Sequence, residues 1–109
     1  MDISLSTMAY GYTAKVLVNG TDIGITGGKS QGMRLFDTEN PLKKEAAPEQ
    51  QARLFVLKPG NNLFSLEFKK TGTAPERFSF DLNKTGEMDP FFHFESQDAE
   101  GKLEKELTL

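Results

Sequence analysis

Hydrophobic and polar residues alternate along much of the chain, in short segments divided by turn-forming residues. The clearest case is Leu63–Phe68, where Phe64, Leu66 and Phe68 alternate with Ser65 and Glu67. That period of two belongs to a half-buried strand. Just before it, Leu54–Leu57 is apolar on both faces, as expected for a strand covered from both sides. Lys58-Pro59-Gly60-Asn61-Asn62 separates the two runs. Proline presets the φ a turn needs, and glycine supplies the positive φ that often follows. The stretch 53–70 therefore predicts a central hairpin around which the other segments pack.

Upstream, Ile3 and Leu5 alternate with Ser4 and Ser6, predicting a short edge strand that Tyr10-Gly11-Tyr12 interrupts. Ala14–Ile25 carries Asn19-Gly20 between two alternating runs. This dipeptide favours a type I′ turn, in which both central residues take positive φ. Counting outward from the turn pairs Val18 with Thr21, Leu17 with Asp22, Val16 with Ile23 and Ala14 with Ile25. Val16, Ile23, Ala14 and Ile25 then share a face, so turn chemistry and hydrophobic pattern agree. Gly27-Gly28-Lys29-Ser30 ends like a phosphate-binding loop. The motif's first glycine is replaced by Ile23, however, and no helical pattern follows, so a loop after a strand is expected.

Met33–Phe36 predicts a further strand ending at Asp37. Thr38–Ala52 departs from the alternation, being charged and rich in Ala and Gln, with two prolines. Asn40-Pro41 suits a helix start, and Pro48 is expected to end any helix begun there. A connection of this length is expected to be a mobile surface loop, with partner binding as the alternative.

Thr71-Gly72-Thr73-Ala74-Pro75 reads as a turn, and Arg77–Leu82 as a strand with Phe78, Phe80 and Leu82 inward. After the polar loop Asn83–Pro90, Phe92 and Phe94 share a face opposite His93 and Glu95. A turn at Asp98–Gly101 leads to a last strand through Leu103, Leu107 and Leu109, with Lys105 and Glu106 making a charged edge. The whole pattern predicts an all-β, two-layer antiparallel β-sandwich, jelly-roll or immunoglobulin-like, of about seven to nine strands. Its core should draw on Val16, Val18, Ile23, Ile25, Leu35, Leu54, Val56, Phe64, Leu66, Phe68, Phe78, Phe80, Phe92 and Phe94.

Composition narrows function more than fold. The 109 residues suit one domain, 1–109, carrying the polar loop at 38–52, and nine Phe can furnish its core. A net charge of −3 and dispersed basic residues exclude nucleic acid and an anionic membrane surface as expected partners. Without Cys there are no disulfides, thiolate metal sites or cysteine nucleophiles. No segment has the length of a membrane span. Met1-Asp2-Ile3-Ser4-Leu5 lacks the features of a signal peptide. The expected location is cytoplasmic or, if a leader has been removed, periplasmic or extracellular.

Little in the sequence announces chemistry. Tyr10 and Tyr12, flanking a glycine, are candidate ligand-stacking residues. His93 is the only histidine and is expected to be a solvated strand residue. There is no Gly-x-Ser-x-Gly nucleophile elbow and no glycosidase-like carboxylate pair, so an enzyme is not expected. Asn19-Gly20-Thr21 and Asn83-Lys84-Thr85 have the glycosylation spacing, but both asparagines also suit turns. Asp81, Asn83, Thr85 and Gly86 resemble the first, third, fifth and sixth places of an EF-hand calcium loop, with Glu87 at the carbonyl place and Asp89 at the ninth. Phe92 occupies the twelfth place, where a bidentate Glu belongs. Any Ca²⁺ site there should be weak, with a Kd of about 10⁻³ to 10⁻⁴ M.

Val18-Asn19-Gly20, followed by Leu57, Pro59, Gly60 and Asn62 ahead of a long apolar strand, resembles the galactose-binding-like jelly-roll domains. The resemblance implies a β-sandwich that accompanies larger enzymes and often binds sugars. The chain has no Trp, the usual sugar-stacking platform. The expectation is therefore a non-enzymatic interaction or accessory module whose partner is another protein or domain, with carbohydrate binding as the alternative.

Overall fold

The computed structural model describes residues 2–72 and 77–109. Among these, nine strands form two sheets packed face to face. They are β1 (Asp2–Met8), β2 (Tyr12–Val18), β3 (Thr21–Asp22), β4 (Ser30–Asp37), β5 (Phe55–Leu57), β6 (Asn61–Lys70), β7 (Phe78–Lys84), β8 (Phe92–Ser96) and β9 (Glu100–Thr108). The five-stranded sheet has the order β5-β4-β1-β7-β8, and the four-stranded sheet the order β3-β2-β6-β9. The fold is the expected β-sandwich, antiparallel throughout except where β4 and β5 run parallel. Of the turn expected over Thr71–Pro75, the last three residues lie outside the described residues.

The inward positions of both sheets make one core. Val16, Val18, Ile23, Ile25, Leu35, Val56, Phe64, Leu66, Phe68, Phe78 and Phe80 are buried as expected, while Leu54, Phe92 and Phe94 pack half-buried against them. Phe68 of β6 stacks on Phe78 of β7 at 4.6 Å and 7°, and Tyr12 and Phe94 close around that pair. Because β6 and β7 lie in different layers, this cluster ties the sheets together. Each such ring pair adds about 0.5–1.5 kcal/mol beyond the burial of its area.

The β2–β3 hairpin has the expected register, with Leu17 opposite Asp22 and Val18 opposite Thr21. Asn19 and Gly20 both take positive φ, 51° and 85°, as a type I′ turn requires. The Ile23 amide still donates to the Val16 carbonyl, but the ladder stops before Ala14 and Ile25. The Asp22 carboxylate accepts the Gly24 N–H and turns the chain away, although Ile25 stays buried. Gly27 then lies so close to β2 that a Cβ would stand 1.8 Å from the Tyr12 carbonyl oxygen. The Gly28 amide donates to the Ala9 and Tyr12 carbonyls, so it serves the fold and not a phosphate.

Three expectations are corrected. First, β5 and β6 do not form a hairpin, because they belong to different sheets. Lys58–Asn62 carries the chain from one layer to the other. The bend satisfies its own backbone through Asn62, whose Oδ1 accepts the Lys58 N–H and whose Nδ2 donates to the Lys58 and Gly60 carbonyls. Second, β1 is the central strand of its sheet, flanked by β4 and β7, and not an edge. Alternation reveals a buried face but not the number of neighbours. Third, Thr38–Ala52 is not an open loop. Asn40 caps a 3₁₀ turn at Pro41–Glu45, and Pro48 begins the helix α1 (Pro48–Leu54) instead of ending one. Proline is favoured at a first helical position, where its missing N–H would have no partner anyway. The crossover through α1 is what permits the parallel β4–β5 pair.

Candidate interaction surface

The two tyrosines are not brought together. Tyr12 is 1% exposed, its ring in the core with the Lys70 ammonium 5.7 Å away and its hydroxyl donating to the Ser96 carbonyl. Tyr10 sits beside it in the chain but 49% exposed, in the β1–β2 turn. Alternation on entering β2 sends the second ring inward.

The residues resembling a calcium loop are likewise dispersed over separate tasks. Asp81 lies within β7 and its carboxylate is bonded to His93 Nδ1 across the β7–β8 pair. Asn83 donates through Nδ2 to the carbonyls of Glu87, at 3.3 Å, and Met88, at 3.1 Å. An amide group therefore faces the very carbonyl that the calcium reading assigns to metal. The Thr85 hydroxyl, ahead of Arg34, holds the Asp2 carboxyl below its ordinary pKa. Asp89 is exposed. Among the described residues no three His, Cys, Asp or Glu side chains gather around a common metal position.

His93 is less isolated than its sequence position suggests. Its Nδ1 meets Asp81 and its Nε2 lies 3.7 Å from a Glu95 carboxylate oxygen, which in turn accepts from Arg77 through its other oxygen at 3.3 Å. Asp81, then Glu95, favours the charged imidazolium and raises the His93 pKa above 6.5. A hydrolytic triad would need a hydroxyl at Nε2. Here a second carboxylate stands there. The carboxylates also approach opposite nitrogens, so they share no chelating position.

Two open concavities lie elsewhere on the surface. One, of about 700 Å³, is bordered by Thr38, Glu39, Asn40, Pro41, Lys43, Lys44 and Gln51 of the crossover segment. The other, of about 570 Å³, crosses the solvent face of the four-stranded sheet. Its walls come from outward positions of three adjacent strands, Thr13 and Lys15 on β2, Glu67 and Lys69 on β6, and Glu100 and Lys102 on β9. The register sets Thr13, Lys69 and Glu100 in one row and Lys15, Glu67 and Lys102 in the next. Lys102 pairs with Glu67 at 3.5 Å, and the backbone at Ala14, Phe68 and Gly101 contributes to the floor. In sequence each of these side chains is merely the polar partner of an inward residue. Only the strand order β2-β6-β9 brings them together.

β9 is one of the two edges of this sheet, opposite β3, as expected for the charged last strand. Lys105 stands on its inward face, opposite Phe64 and between the half-buried Leu103 and Leu107. A charge pointing inward on an edge strand opposes the addition of another strand. No helix among the described residues is long and apolar enough to cross a membrane. Searches against protein-family models, curated proteins and solved structures give no match to the chain.

Proposed function

We propose that the protein is a non-enzymatic interaction module that receives another protein on the outer face of its four-stranded sheet. The observation that carries this reading is the groove of about 570 Å³ across β2, β6 and β9. Its walls stand on hydrogen-bonded strands backed by the core, so their spacing is set before a partner arrives. Preorganisation of that kind lowers the ordering cost of association. The concavity of the crossover segment is walled by a 3₁₀ turn, one short helix and the residues ahead of them, with no strand residue among its walls. A glycan is the weaker reading, because no exposed aromatic ring lies in the groove to stack on a sugar.

The test fills the groove without touching the core. Thr13 is exposed on β2, a strand position that accepts an aromatic residue. Tagged wild-type and Thr13→Trp chains are used to capture proteins from the native source, with quantitative mass spectrometry of both samples. The proteins enriched by the wild type should be depleted by Thr13→Trp. An identical set with both chains would remove this face from consideration.

A further inference from the structure

The charges of the groove are unevenly satisfied. Three lysines and two glutamates line it, an excess of one positive charge on a chain whose net charge is −3. Lys102 is paired with Glu67, whereas Lys15 and Lys69 make no ion pair with any described residue. Across β2 and β6, Thr13 faces Lys69 and Lys15 faces Glu67, so the two unpaired lysines are diagonal neighbours. Further along the same face β9 turns acidic, with Glu104 opposite Ser65 and Glu106 opposite Leu63. The solvent face of this sheet is thus basic at the groove and acidic beyond it.

From this pattern we infer that the groove takes a short, extended, acidic segment of a partner protein. The inference rests on the reading of this face as the interaction surface and adds the chemistry of its occupant. Side chains on one face of an extended chain recur every second residue, roughly 6.5–7 Å apart. Diagonal neighbours on a sheet stand roughly 7–8 Å apart. Two carboxylates at alternate positions of an extended segment therefore match Lys15 and Lys69 with one intervening side chain turned to solvent. Glu104 and Glu106 limit the length of the acidic run, since continuing it along the strands brings like charges together. The same two residues disfavour a long polyanion. The segment lies over the face and does not extend the sheet at β9, because Lys105 guards that edge.

The probe is a synthetic peptide of alternating Glu and Ser, titrated into the isotope-labelled full chain and followed by amide chemical shifts. A second peptide carries Gln in place of each Glu. Saturable shifts confined to Thr13, Lys15, Glu67, Lys69, Gly101 and Lys102, weakening in high salt and absent with the Gln peptide, are expected. Lys15→Glu/Lys69→Glu should reduce affinity ~10-fold or more, a difference of ~1.4 kcal/mol. Lys15→Gln/Lys69→Gln serves if that variant does not fold. Lys43→Glu/Lys44→Glu should leave the titration unchanged. No saturable shift, equal response to the Gln peptide, shifts centred on Lys43 and Lys44, or full binding by both Lys15/Lys69 variants overturns the inference. So does equal binding of an oligonucleotide of the same charge. Loss of the native partners with Thr13→Trp but not with Lys15→Gln/Lys69→Gln would keep the face and discard the acidic occupant.

Discussion

Two bends, each secured by an asparagine, show how burial changes the value of the same chemistry. At the β5–β6 bend, Asn62 is fully buried and uses both ends of its amide. Its Oδ1 also accepts from Asn19 Nδ2 at 2.9 Å, and Asn19 itself donates to the Val56 carbonyl and accepts the Leu63 N–H. Two turns far apart in sequence are thus locked across both sheets. In the β7–β8 loop, Asn83 also bridges backbone carbonyls, but at an exposed site beside Met88, which is 96% exposed. Water can replace the bonds of Asn83. It cannot reach those of Asn62, so removing that side chain leaves buried polar groups without partners.

The largest effect should therefore come from Asn62→Ala. Loss of about 2–4 kcal/mol is expected in urea denaturation, because the Lys58 amide loses its acceptor, the Lys58 and Gly60 carbonyls lose a donor, and Asn19 loses one of its three bonds. A loss no larger than that of an exposed asparagine would break the comparison. The converse case is Thr7, buried in β1 with an Oγ1 that meets no hydrogen-bond partner among the described residues. Thr7→Val keeps the branched shape and deletes the unsatisfied hydroxyl, so it should stabilise by about 1 kcal/mol, read as a higher Tm.

Asn83→Ala should change stability by no more than about 0.5 kcal/mol in the same assay. Since Asp81, Asn83 and Thr85 are committed to other bonds, melting curves in excess calcium and in chelator should coincide. The smallest effect concerns His93. Its folded pKa is raised, so its contribution is full below the unfolded value near 6.5 and is lost as pH rises through the folded value. The Tm advantage of wild type over His93→Gln should shrink as pH is raised across that window. With half the ring exposed, the advantage is modest even in acid. A difference that grows with pH would contradict the assigned ion pairs.

Most of the fold was legible because alternation and turn chemistry are local. Asn19-Gly20 announced both the turn and its register, and Phe78–Leu82 announced an inward face. What failed was the identity of neighbours. Ile3 and Leu5 reveal a buried face, yet nothing nearby in sequence states that β7 closes the far side of β1. Leu54–Leu57 and Leu63–Phe68 read as hairpin arms because a turn lies between them, whereas Asn62 makes that turn self-sufficient and frees the arms to join different sheets. Pro48 suggests a stop in the sequence, whereas the preceding turn already ends at Glu45 and the proline starts a new helix. The groove was illegible for the same reason as the neighbours of β1. Its six walls are ordinary outward residues until strand order joins them, and Tyr12, singled out for its ring, belongs to the core.

The central place of β1 also has a consequence in time. During synthesis Asp2–Met8 leaves the ribosome well before β7, although it must hydrogen-bond to β7 along nearly its whole length. Until then β4 can cover one of its sides, and the other presents unpaired N–H and C=O groups. Ser4 and Ser6 give that waiting edge a polar outer face, while Ile3 and Leu5 keep the opposite face apolar. Pairing over such sequence separation is slow to form and leaves intermediates open to strand addition by other chains. The strand at the middle of the finished sheet is therefore a principal place for nascent chains to mispair.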